Sequence, residues 1–157
     1  MPVKQLRDFL DSNHVRYETI SHSPAYTAQE IAAATHISGR EIAKTVILKI
    51  DGELAMMVLP ASQLVDLRHI QGELQAQSVE LATEKEFKDR FPDCETGAMP
   101  PFGHLYNMKL FSDHALSKDQ EIAFNAGNHR ELIKLSYDDF VRLAQPKILR
   151  LCTVAFA

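Results

Sequence analysis

The tightest constraint on the fold lies between residues 42 and 59. Ile42 to Ile50 is β-branched and apolar, Asp51-Gly52 is a two-residue turn signal, and Glu53 to Leu59 returns as an apolar partner. Asp-Gly supplies the positive φ that a tight hairpin demands, so the two runs predict paired antiparallel strands. A chain with this hairpin at its centre must cover at least one apolar sheet face with other elements. The hairpin also carries a misfit. Lys44 stands among Ile42, Ala43, Val46 and Ile47, and alternation puts it on one face with Ile42, Val46 and Leu48. An ammonium there either snorkels to solvent from an edge strand or projects into a cavity, where it holds a phosphate or polarises a carbonyl.

Around the hairpin, helices and strands follow without a regular beat. Val3, Leu6, Phe9 and Leu10 predict a helix over 3–12, and Val15 to Ile20 alternates as a strand. Thr27 with Glu30 forms a capping-box signature for a helix through Ala34, Ser62 is placed to cap a helix through Ile70, and Thr83 with Glu86 opens another that Pro92 closes. Val79 to Leu81, Leu105 to Phe111, Glu121 to Asn125 and Arg130 to Leu135 read as strands, the last two joined by the turn Asn125-Ala126-Gly127-Asn128. Ser136 caps a helix from Tyr137 to Ala144, and a strand-like tail runs from Lys147 to Val154. Hairpins mixed with helices predict an α+β fold with a mostly antiparallel sheet. With 157 residues, one domain spanning 1–157 is expected.

A second irregular stretch is Gly97-Ala98-Met99-Pro100-Pro101-Phe102-Gly103. Two prolines remove two N–H groups and fix φ, while the glycines permit left-handed or closely approached backbone. It is a stiff loop whose remaining amides, at Ala98, Met99, Phe102 and Gly103, are available to a ligand; taken alone, it also fits an ordinary tight turn.

Composition removes several function classes. The formal net charge of −4 argues against coating nucleic acid by charge, though not against recognising a single nucleic-acid end. The apolar runs are too short to span a bilayer and the N-terminus lacks a signal-peptide pattern, so no membrane partner and a cytoplasmic location are expected. Cys94 and Cys152 are far apart, without a C-x-x-C partner, and are expected as free thiols; acid around Cys94 disfavours a thiolate nucleophile. None of the seven histidines stands at zinc-ligand spacing, so neither metal nor cofactor is expected, and His22, before a Ser-Pro turn, reads first as a loop or structural residue. No nucleotide-binding glycine motif and no Gly-x-Ser-x-Gly elbow occurs.

The order His22-x-Pro24, Ala43-Lys44-Thr45 in a strand, Gly97-x-x-x-Pro101-Phe102-Gly103 and Asn125-Ala126-Gly127 resembles the YbaK/ProX family of aminoacyl-tRNA editing domains, over about Leu6 to Ala144. The resemblance implies a barrel-like, mostly antiparallel sheet flanked by helices, and hydrolysis of the ester joining a wrong, small amino acid to tRNA. By the same resemblance Lys44, Gly97 and Pro101 are the catalytic positions: Lys44 anchors a phosphate or the aminoacyl carbonyl, and the loop holds the ester and positions water. Ala98, Met99, Phe102 and Gly103, with His22, Asn125 and Gly127 as pocket walls, are the substrate-binding positions. The partners it implies are the aminoacylated tRNA acceptor end and an aminoacyl-tRNA synthetase. Met99-Pro100 replaces a small-Ser pair of the family loop, which bears on amino-acid specificity. A non-catalytic module that binds aminoacyl-tRNA or a nucleotide-like ligand is the alternative. Direct capture of tRNA requires basic groups such as Lys44, Arg40, Lys109 and Arg130 to gather at one pocket mouth.

Overall fold

A computed structural model describes residues 3–152. In chain order the elements are α1 (Lys4–Ser12), β1 (Tyr17–Ser21), α2 (Ala28–Thr35), β2 (Ile42–Ile50), β3 (Glu53–Pro60), α3 (Leu67–Leu74), β4 (Val79–Leu81), α4 (Glu84–Phe87), β5 (Lys109–Asp113), β6 (Glu121–Asn125), β7 (Glu131–Ser136), α5 (Tyr137–Ala144) and β8 (Lys147–Leu149). The predicted tail strand is shorter than expected, and Thr153 and Val154 lie outside the described residues.

The strands form one sheet in the order β1-β7-β6-β2-β3-β5-β8, with β4 also paired to β2. The hairpin pairs in the register its turn sets, Ile50 opposite Glu53 and Lys44 opposite Leu59. Antiparallel pairing joins β1 to β7, β7 to β6, and β2 to both β3 and β4. Parallel pairing joins β2 to β6, β3 to β5 and β5 to β8, each pair being separated in the chain by long crossovers rather than a turn. The α+β class with its mostly antiparallel sheet therefore holds, and the parallel pairs are what local pattern could not show.

Alternation sorts the two sheet faces. Ala43, Ile47, Met56 and Val58 turn to one side, into a core shared with Leu6 and Leu10 of α1, Phe140 of α5, Phe102 and Phe124. On the other side Leu48, Met57 and Leu59 pack with Ile70 of α3 and Leu151, while Ile42, Ala123 and Leu132 pack with Ile31 of α2.

Three local expectations change. Residues 105–108 are not strand: Gly103–Tyr106 forms a 3-10 turn and β5 starts at Lys109. The reason is contact, since a Cβ on Gly103 would lie 2.5 Å from Met108 O, so the chain folds back on itself there. Asp66, not Ser62, caps α3 by accepting from His69 N–H, because Val65 bridges Cys152 and holds 61–66 outside the helix. Pro92 does not end a long helix; α4 gives way to a 3-10 turn at Lys88–Arg90. The Thr83–Glu86 capping box, the Thr27 cap and the Ser136 cap all form.

Candidate active site

The centre of the site is an interruption in the sheet. On its outer edge β2 pairs with β6 only at Ile42 and Ala43, and with β4 only from Leu48. Among the described residues no strand covers 44–47 on that edge; Ala82 N–H alone reaches Ile47 O. Lys44 therefore lies where the ladder stops, one step beyond the pair Ala43–Phe124, next in register to Asn125. Ile42 and Ala123 are opposite one another and share a cluster, so Lys44 and Asn125 point to that same face.

Lys44 is half-buried and makes no ion pair among the described residues. Burial lowers its pKa, an effect that the Cys152 sulfur would oppose only as a thiolate. Asp113, the buried carboxylate of this region, is already engaged: its oxygens accept from Leu151 N–H at 2.6 Å and Ala115 N–H at 3.0 Å. Burial, then Asp113, push the Cys152 thiol up to about 12, so it is no anion at neutral pH. The ammonium thus has lost part of its water without gaining an acid partner. Such a group suits an incoming phosphate or polarised carbonyl. Asn125 Oδ1, on the same face, is buried without a hydrogen-bond partner among the described residues.

The glycine-proline loop is tied to the β6–β7 turn. Glu95 N–H donates to Gly127 O at 2.8 Å, and Gly127 N–H donates to Ala98 O at 2.9 Å. Gly97 takes φ of +86°, open to glycine at little cost. The amides are not all available, however. Ala98 N–H is consumed by Glu95 O and Phe102 N–H by Pro100 O, within the loop's own turns. The backbone donors left are Met99 and Gly103, which donate to nothing among the described residues, and Gly97, whose N–H meets only the Met99 thioether at 3.2 Å.

The expected pocket residues divide accordingly. Asn125 stands beside Lys44; Gly97, Pro101, Ala98 and Met99 stand in the loop, the last three buried; Gly127 clamps it. His22 is tied to the residue before β7, its N–H donating to Arg130 O at 2.8 Å, with Nε2 buried and unpartnered among the described residues. No hydrogen bond joins Lys44 to the loop among the described residues; β6 and its turn connect them. The Phe102 ring is fully buried against Phe9, Phe124 and Phe140, and Gly103 is packed on Met108, so both belong to the core. Of the basic groups, Arg40 precedes β2 and Arg130 adjoins His22, but Lys109 sits opposite Ala55 at the far end of the sheet, lining a cavity of about 810 Å³ with Leu54, Met108 and Lys147.

Sequence reasoning missed His129, read only as a histidine without a metal partner. It is 7% exposed, its Nε2 lies 2.8 Å from Thr96 O, and the exposed Tyr26 ring lies against it at 4.6 Å. Its place after an Asn-Ala-Gly turn was the one available signal. Among the described residues no group of three or more His, Cys, Asp or Glu side chains is placed to hold a metal ion, and no helix is long and apolar enough to cross a membrane.

The family model of the aminoacyl-tRNA editing domain matches residues 22–143, from His22 through Lys44 and the loop to α5. The chain belongs to this family. Among curated relatives of the editing domain, the multifunctional Ser/Thr-tRNA deacylase ProXp-y of Escherichia coli K12 is 26% identical over 151 residues, covering 93% of this chain and 90% of the relative. A proline–tRNA ligase of Bacillus mycoides is 26% identical over 89 residues, 57% of this chain and 16% of that much longer protein. A solved structure described as a candidate trans-editing enzyme for prolyl tRNA synthetase superposes with a TM-score of 0.81 at 18% identity, covering 96% of each chain, which establishes the shared fold.

Proposed function

We propose that the chain, acting as one unit in the cytoplasm, hydrolyses the ester of mischarged aminoacyl-tRNA in trans, with a small amino acid such as serine or threonine as the acyl group. The observation that carries the reading is Lys44: a half-buried ammonium without an acid partner, at the break in the sheet and next to Asn125. Water adds to the ester carbonyl, the tetrahedral intermediate collapses, and the products are the free amino acid and the 3′-terminal hydroxyl of tRNA. Lys44 binds the aminoacyl carbonyl or the adjacent phosphate, and the Gly97 amide faces the developing oxyanion. An aminoacyl ester is already activated, so orientation of water and charge stabilisation carry the reaction without a triad. Dispersed basic groups and the net charge of −4 favour delivery of the acceptor end with help from a synthetase.

The test is a panel of mischarged tRNAs carrying serine, threonine, alanine or cysteine. Deacylation of at least one is expected, and Lys44→Ala slows it by about 100-fold or more, as losing a charge-stabilising donor does. No deacylation anywhere in the panel, or an undiminished rate in Lys44→Ala, overturns the reading; binding without turnover selects the non-catalytic module instead.

A further inference from the structure

We propose that His129 is a positioning residue that aims the Gly97 N–H at the Met99 thioether, and that this thioether occupies the amide until substrate arrives. The inference rests on the loop's reading as the ester-binding wall. A carbonyl oxygen only accepts, so the 2.8 Å contact between Nε2 and Thr96 O assigns the imidazole proton to Nε2. Thr96 C=O and Gly97 N–H are the two poles of one trans peptide unit, and they point in opposite directions. Holding the carbonyl on His129 therefore turns the amide away from it, onto Met99 Sδ at 3.2 Å. A thioether is a weak acceptor, and an ester oxygen gathering charge displaces it readily.

The imidazole is itself held firmly. Tyr26 covers it, with ring centroids 4.6 Å apart, His129 N–H donates to Glu95 Oε1 at 3.3 Å, and His129 O accepts from Ala25 N–H at 3.1 Å. The ring also lies against Gly97, where a Cβ would meet Cε1 at 3.6 Å. Nδ1 is buried without a partner, so the ring's one hydrogen bond among the described residues goes to the loop. One residue thus joins the segment after β1, the glycine-proline loop and the β6–β7 turn.

Two measurements decide it. In the wild-type protein, ¹⁵N NMR of the imidazole shows the Nε2–H tautomer, and Gly97 N–H exchanges about 10-fold more slowly than in His129→Phe, which keeps the ring but loses the donor. In single-turnover hydrolysis of seryl- or threonyl-tRNA, His129→Phe loses about 100-fold in rate constant with apparent affinity within about 2-fold, the cost of a misplaced transition-state donor. His129→Gln, which restores an N–H of similar reach, recovers at least about 10-fold of that loss. An Nδ1–H tautomer, unchanged Gly97 exchange, or a His129→Phe rate within about 3-fold of wild type overturns the proposal. If the wild-type protein hydrolyses neither ester, the functional reading fails for them while the tautomer and the exchange rate still decide the role of His129.

Discussion

Lys44 shows how one residue trades stability for a site. Folding takes water from its ammonium and supplies no carboxylate, so the folded-state pKa falls below the unfolded one. Between those two values the unfolded chain binds more protons, so stability rises as pH rises through that window. Lys44→Met removes the charge while keeping the stem. It is expected to raise the thermal midpoint, to erase that rise with pH, and to abolish deacylation, all measurable on one preparation by calorimetry and tRNA assay. A destabilised Lys44→Met would show that the ammonium has a structural partner. Gly103 is a residue constrained by close packing. A methyl there meets Met108 O, and Gly103→Ala is expected to cost about 3 kcal/mol in urea unfolding, because backbone must move to admit it.

At the scale of elements, α4 is too short to stand alone and is fixed from outside. Glu86 closes the capping box with Thr83 and also accepts from Lys49 Nζ of β2 at 2.5 Å. The Lys49 hydrogen bond, then those of Thr83, hold the Glu86 carboxyl down at about 2. Its folded pKa is depressed, so its contribution is present above the ordinary carboxylate range and is lost as pH falls from about 4.5 toward 2. Glu86→Gln is expected to flatten the dependence of the thermal midpoint on pH across that window and to leave deacylation unchanged, since the Glu86 side chain bonds only Lys49 and Thr83 among the described residues. An unaltered slope would mean that the exposed pair contributes nothing to stability, as exposed pairs often do.

For the whole molecule the question is how an acidic protein meets tRNA. Arg40 and Arg130 are near the site, but Lys109 is at the other end of the sheet, so few phosphates are contacted at once. The logarithm of kcat/KM plotted against the logarithm of salt concentration is expected to fall with a slope of about −1 to −3, in place of the steeper slopes of proteins that wrap many phosphates. A much steeper slope would reveal a basic surface that these groups do not account for.

What the sequence alone determined follows from short-range physics. Asp51-Gly52 between two apolar runs sets the hairpin to the residue, and the caps at Thr27, Thr83 and Ser136 form because each oxygen reaches an amide three residues on. Alternation likewise settled which face Lys44 occupies. The tertiary structure decided everything that depends on residues far apart in the chain. It placed Asn125 beside Lys44 through the parallel pairing of β2 with β6, left the outer edge of β2 without a partner strand between Ala43 and Leu48 among the described residues, and buried the Phe102 ring in the core. It also made His129, without motif or metal spacing, the side chain that holds the loop. Parallel pairing has no turn to announce it, and a buried imidazole takes its meaning from a carbonyl 33 residues away.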